Sequence, residues 1–168
     1  TPKMIGSGNN SANDRSFYIL ATDGNLYALG RNNVRQLGDW TTTDRLSWVQ
    51  PRYTAAAPGG TAMNDVVWIS PEEHDGYYNA FNLINSSKTL YAFGQNSFSM
   101  LSTTVNPANP FIPTGLGAGG SILTVETGGH TTMVIKQCEA NFGYVGHRSA
   151  GSMGDGSGTD ATQSTFTF

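Results

Sequence analysis

Ser16-Phe17-Tyr18-Ile19-Leu20-Ala21-Thr22-Asp23-Gly24-Asn25-Leu26-Tyr27-Ala28-Leu29-Gly30 is the stretch on which the fold turns, and Leu37-Gly38 completes it. Residues 17–21 are a short β-rich run. Asp23-Gly24 is a tight-turn dipeptide, because glycine takes positive φ without a Cβ clash. Residues 26–29 return as the partner strand. The text recurs as Leu90-Tyr91-Ala92-Phe93-Gly94 with Met100-Leu101, and again as Asn141-Phe142-Gly143-Tyr144-Val145-Gly146 with Met153-Gly154. With Gly30, Gly94 and Gly146 as anchors, Phe17, Phe81 and Met133 share one upstream offset and Ile19, Leu83 and Ile135 another. Leu37, Leu101 and Met153 share one downstream.

Repeats at this spacing mark arrays or propellers, because one supersecondary unit cannot bury its own apolar face and must stack on a neighbour. The turn is copied more loosely than the strands: Asn85-Ser86-Ser87-Lys88 and Gln137-Cys138-Glu139-Ala140 replace it without glycine. A strand is expected before each hairpin, at residues 3–5, 65–69 and 122–126. An outer strand is expected near 48–50, 110–112 and 165–168. That makes three blades of about four antiparallel strands, an all-β propeller-type repeat forming an incomplete ring. The expected blades are residues 1–63, 64–120 and 121–168 of a single repeat domain.

Residues 23–38, Asp-Gly-Asn-Leu-Tyr-Ala-Leu-Gly-Arg-Asn-Asn-Val-Arg-Gln-Leu-Gly, resemble the repeat of the regulator-of-chromosome-condensation family, approximately DG-x-vy-x-wG-x-N-x-x-x-QLG. Gly128-Gly129-His130-Thr131-Thr132 resembles that family's G-x-x-H-s/t lead-in, which implies a repeat-internal hydrogen bond for His130. The likeness is good in the first repeat, moderate in the second and partial in the third. It implies a ring typically of seven blades, of which this chain holds three, so each end is expected to present an uncovered blade face. The family's tasks range from nucleotide exchange on a small GTPase to enzyme inhibition and ubiquitin-ligase accessory roles, so the fold does not choose among them.

Composition narrows the field. The chain has 168 residues, enough for one domain that buries roughly 70% of its unfolded surface. Charged residues are 12%, about half the globular norm, and there are 21 glycines, so the surface is turn-rich and neutral-polar. Aromatics at 11% and periodic apolar runs supply a core and argue against disorder. A net charge of −3 argues against nucleic-acid binding, which needs clustered Lys and Arg. Cys138, the single cysteine, permits no internal disulfide. No membrane span is visible. Low charge with abundant Ser, Thr, Asn and Gly suggests an extracellular or cell-surface protein, with a cytoplasmic setting as the alternative. Asn9 and Asn85 head N-x-S sequons that occur at chance frequency.

Long loops on a rigid scaffold commonly carry binding function. The acidic, Tyr-bearing insertion around Glu72, Glu73, His74, Asp75, Tyr77 and Tyr78 is therefore the leading candidate contact surface. The terminal Thr165, Phe166, Thr167 and Phe168 alternate like an edge strand that needs covering, and form a candidate assembly edge.

The catalytic and cofactor alternatives are weak. Gly115-Leu116-Gly117-Ala118-Gly119-Gly120 matches G-x-G-x-x-G but follows a Pro-rich loop and opens a strand, against the dinucleotide pattern. The Asp155-to-Asp160 loop has oxygens at alternate positions but Phe166 where a calcium loop has its last Glu. His130 and His147 have no recognised ligand spacing. No G-x-S-x-G elbow is present, and no carboxylate pair has an acid/base rationale. No cofactor, metal or catalytic residue is expected. The expected function is a structural module that associates with further copies of itself through its open blade ends, as a closed six-bladed dimer or a filament. The alternative is a fragment of a larger propeller that binds a protein partner through its long loops.

Overall fold

The structure is a computed structural model that describes residues 1–9, 15–72, 79–117, 121–149, 151, 153–154 and 156–168. Strands β1 (Pro2–Asn9), β2 (Arg15–Ala21), β3 (Leu26–Gly30) and β4 (Arg45–Val49) form the first sheet in that order. The second sheet is β5 (Val66–Pro71), β6 (Ala80–Asn85) and β7 (Leu90–Gly94). The third is β8 (Ile122–Gly128), β9 (Thr131–Lys136), β10 (Gly143–His147) and β11 (Thr162–Thr167). Every pairing is antiparallel, and no α-helix occurs among the described residues. The sheets are successive blades of an open propeller, with the inner strands β1, β5 and β8 side by side.

The turns follow local chemistry. Gly24 takes φ 85°, and the Asn25 N–H donates to Asp23 Oδ1 at 3.2 Å. The two hairpins without glycine place Lys88 (φ 59°) and Cys138 (φ 67°) in the left-handed region instead. At the anchors, Gly30, Gly94 and Gly146 take φ 106°, 93° and 117°, and a Cβ would collide with the carbonyl oxygens of Arg15, Asn79 and His130. Only glycine fits where the strand bends this close to its neighbour's backbone.

These contacts correct the third repeat. Gly30 pairs with Ser16 and Gly94 with Ala80, but Gly146 pairs with Thr131, one residue farther from the anchor along the chain than the shared offset requires. Hydrogen bonding agrees: Ser16 Oγ donates to the carbonyl after its anchor at 2.8 Å, and Thr131 Oγ1 does the same at 3.1 Å. The β9–β10 turn carries one extra residue, so Thr132 and Val134, not Met133 and Ile135, are the counterparts of Phe81 and Leu83. A one-residue slip moves every side chain to the opposite face. Met133 stands where Tyr18 and Asn82 do.

The second blade has three strands, without the outer one expected at 110–112. Phe111 alone bridges to Ala92, exchanging both backbone bonds at 2.9 and 3.0 Å. Pro110 and Pro113 flank it and lack the N–H groups a ladder needs.

Each blade turns one face forward, to the next blade, and one back. Between blades one and two, Tyr18, Leu20, Leu26, Ala28 and Leu37 look forward onto Ile69, Phe81, Leu83 and Phe93. Tyr18 and Phe81 lie 4.3 Å apart, and Phe81 stacks on Phe93 at 4.6 Å. Between blades two and three, Ile84 and Leu90 look forward onto Val125, Val134, Val145 and Phe166. There Asn82, at Tyr18's place, donates to Thr127 Oγ1 at 2.9 Å and Thr132 Oγ1 at 3.3 Å. Strand β6 is buried along its whole length.

A buried asparagine closes the loop after each of the first two anchors. Asn32 Oδ1 accepts the Leu37 N–H at 3.0 Å, and Asn96 Oδ1 accepts the Leu101 N–H at 2.7 Å. Their Nδ2 groups donate to Asp39 and Thr41 in one loop and to the carbonyls of Thr103 and Val105 in the other. Arg148 replaces this asparagine in blade three.

Candidate partner-binding surfaces

Of the insertion, only Glu72 lies within the described residues; Glu73, His74, Asp75, Tyr77 and Tyr78 fall outside them. Ser70 and Pro71 extend β5 beyond the strand expected at 65–69. Glu72 is buried rather than solvated, and its N–H donates to the Ala80 carbonyl at 2.8 Å. It anchors the segment's base instead of lying on a contact surface.

At the other candidate, Phe166 is buried against Leu116 and Ile84, and Phe168 packs beside it. The Phe166 N–H donates to Ser102 Oγ at 3.1 Å, and Gly115 leaves no room for a Cβ against the Phe166 backbone. The loop of blade two therefore clamps β11, and only Thr165 and Thr167 of the four point to solvent. Asn85 is also buried, its Oδ1 accepting the Thr89 N–H at 3.0 Å, so it is closed to glycosylation.

The exposed apolar surface lies elsewhere. On the back of blade one, Ile5 is 79% exposed, Phe17 44% and Trp48 45%. Together with Ile19 they line a groove of about 410 Å³. On the front of blade three, Ile135 is 49% exposed and Phe142 40%, beside Met133 and Tyr144. Sequence reading expected uncovered ends; placing Met133 and Ile135 on the free side required the register that the longer turn creates.

Two further features are formed by packing between blades. An open groove of about 490 Å³ runs along the inner strands, lined by Met4–Gly6, Trp68–Glu72 and Glu126–Gly129. Phe98 stacks on both His130 and His147, with ring centroids 4.6 and 4.4 Å away, and the two imidazoles lie 6.0 Å from each other. His147 pairs with Asp160. The two histidines, too far apart in sequence to connect by spacing, thus meet against a residue of the preceding blade, and the His130 carbonyl accepts the His147 N–H. This arrangement clasps blade two to blade three. No group of three or more metal-ligating side chains gathers among the described residues.

The perturbed groups are structural. Burial pushes the Asp39 carboxyl up, but hydrogen bonds from Thr41, Arg45 and Asn32 outweigh it and hold the group below the usual carboxylate range. Burial pushes the Tyr18 phenol up, and its hydroxyl donates to the Gln36 carbonyl at 2.8 Å. Burial and then Asp65 push the Tyr53 phenol up, tying the loop after β4 to the second blade. Cys138 is exposed in its hairpin turn. Among the described residues no helix is long and apolar enough to cross a membrane.

No protein-family model and no curated protein sequence matches the chain. Solved structures do. Human WBSCR16 superposes with TM-score 0.63 and 15% identity over 88% of this chain and 33% of its own. Prp20p from Saccharomyces cerevisiae, described with its binding to Gsp1p and histones, superposes with TM-score 0.61 and 19% identity over 99% of this chain and 37% of its own. Yeast RCC1 (Prp20) bound by Kap60 gives TM-score 0.60 and 16% identity over 98% and 36%. The chain therefore spans about a third of the length of the structures it matches, and its fold is that of the RCC1-type propeller repeat.

Proposed function

We propose that this chain, with three blades of an RCC1-type propeller, is a section of a protein-binding propeller and has no catalytic centre of its own. The observation that carries this reading is the joint superposition of all three blades on Prp20p and yeast RCC1, two structures described with protein partners. In this reading Glu73, His74, Asp75, Tyr77 and Tyr78 contact the partner, on the segment of sequence that follows the buried Glu72, itself part of the lining of the inner-strand groove. Histones and Gsp1p, the partners described for Prp20p, favour the cytoplasmic alternative over an extracellular setting. The net charge of −3 keeps nucleic acid out of the proposal.

The test is calorimetric titration of the chain with purified Gsp1p, histones and Kap60 as probes. Replacing residues 73–78 by a Gly-Ser segment of equal length supplies the comparison. Binding of at least one probe, weakened tenfold or more by the replacement, is the expected result. Absence of binding to all three overturns the reading, and binding indifferent to the replacement overturns its assignment to the insertion.

A further inference from the structure

We propose that the cavity between β4 and the loop that follows it, lined by Arg45 and Arg52, is a carboxylate-binding site. The inference stands on blade one alone and is independent of the insertion.

The cavity, of about 290 Å³, is lined wholly by residues of the segment 39–57, so it is built inside one blade and not between a blade and its neighbour. The loop that forms one wall is tied down by its own backbone. Arg52 and Ala62 form a bridge, the Tyr53 N–H donates to the Thr61 carbonyl at 2.8 Å, and the Met63 N–H donates to the Pro51 carbonyl at 2.9 Å. Arg52 is held at both of its backbone groups: its N–H donates to the Gly38 carbonyl at 3.0 Å, and its carbonyl accepts the Trp40 indole N–H at 3.0 Å. Its guanidinium is fixed as well, with Nη1 donating to the carbonyls of Gly59 and Gly60 at 2.7 and 2.9 Å. A cation placed this firmly loses little freedom when it binds.

The two guanidiniums are not alike. Arg45 is paired: its Nε donates to Asp39 Oδ2 at 2.7 Å and its Nη2 to Thr41 Oγ1 at 3.1 Å. Asp39 is already supplied with donors, because its Oδ1 accepts from Asn32 Nδ2 and from the N–H and hydroxyl of Thr41. Arg52 has no carboxylate partner among the described residues, and its Nε and Nη2 make no hydrogen bond with them. Nη1 of Arg45 is left over in the same way.

Two guanidiniums and one carboxylate leave the cavity with one positive charge, in a chain whose net charge is −3. That is the charge a carboxylate neutralises, and the planar fork of a guanidinium matches its two oxygens. A phosphate dianion would bring one negative charge too many beside Asp39. Val49, Ala56 and Ala57 supply an apolar wall for the carbon atoms that carry the carboxylate. Small-molecule sites run from about 300 Å³ upward, so this cavity takes one acidic side chain or one chain end and nothing of nucleotide size.

The test is a nuclear magnetic resonance titration of the full chain that reads the side-chain Nε–H signals of Arg45 and Arg52. The probes are N-acetylglutamic acid α-amide for an acidic side chain, N-acetylalanine for a chain end, inorganic phosphate, and N-acetylglutamine amide as the uncharged control. Saturable shifts at Arg52 with at least one of the two carboxylates are expected, and the one that saturates at the lower concentration identifies the source. Arg52→Gln removes the unpaired charge, while Ala56→Leu fills the cavity and keeps both guanidiniums. Each is expected to weaken binding about tenfold or more with the thermal melt retained, and if one lowers the melt the other carries the comparison. No saturation with either carboxylate overturns the proposal. So does tighter binding of phosphate, equal binding of the uncharged control, or binding left unweakened in a folded variant.

Discussion

The two interfaces inside the chain solve one packing problem with opposite chemistry. Between blades one and two the central contact is Tyr18 on Phe81, backed by Phe93, and the polar tip of Tyr18 finds the Gln36 carbonyl. Between blades two and three the same position holds Asn82, which donates to Thr127 and Thr132 while its Oδ1 is buried without a hydrogen-bond partner. Both members of the pair change together, so a repeat frame tolerates an apolar or a polar pair but not one of each. Aromatic pairs add about 0.5–1.5 kcal/mol beyond their buried area. A hydrogen bond adds about 1 kcal/mol, and an orphaned buried acceptor costs about as much or more. The first interface should therefore be the stronger, and the clamp of Ser102 on β11 and the stacking of Phe98 on His130 and His147 are what the second adds.

That comparison can be broken most severely at Phe81. Phe81→Ala is expected to cost about 3–5 kcal/mol, because it removes the ring that Tyr18 and Phe93 both contact; chemical denaturation reads the loss. Gly94→Val, at the anchor both interfaces share, is expected to cost about 1–3 kcal/mol in backbone strain alone, with the Asn79 collision in addition. An unchanged melting temperature would refute the anchor's role. Asn82→Ala is expected to cost about 1–3 kcal/mol by orphaning its threonine partners. The double replacement Asn82→Leu with Thr132→Val is expected to be neutral or stabilising, converting the second interface to the chemistry of the first. If the double variant is worse than Asn82→Ala alone, the equivalence of the two positions fails.

The smallest expected effect is electrostatic. Asp39 has a folded pKa below its unfolded value, so it contributes stability above the ordinary carboxylate pKa of about 4, and that contribution is lost as pH falls through the folded value. Asp39→Asn should therefore flatten the acid limb of melting temperature against pH, leaving the limb above neutrality parallel to wild type. Identical acid limbs would mean that its bonds to Arg45 and Thr41 do not discriminate the charged form.

The blade count, hairpins and anchor glycines were legible because glycine at positive φ and alternation at period two leave direct marks in sequence. The third register was not, since Gln137-Cys138-Glu139-Ala140 gives no glycine to fix where the turn bends, and Cys138 takes the left-handed conformation unannounced. The outer strand at 110–112 had the right apolar residues, but its flanking prolines decided against it. Among the sites, Glu72 read as a surface acid because acidic runs usually are; its burial comes from the extension of β5. Phe166 read as an open edge because the strand ends the chain, while the loop that covers it comes from sequence far upstream, around Ser102 and Gly115.

The alternation of forward and back faces through all three blades rests on the shifted register of β9. Methyl-labelled nuclear Overhauser spectra test it directly: cross-peaks from Ile84 to Val134, which share a core cluster, are predicted, with none from Ile84 to the half-exposed Ile135. Cross-peaks from Ile84 to Ile135 in place of Val134 would put the third blade the other way round and contradict the account.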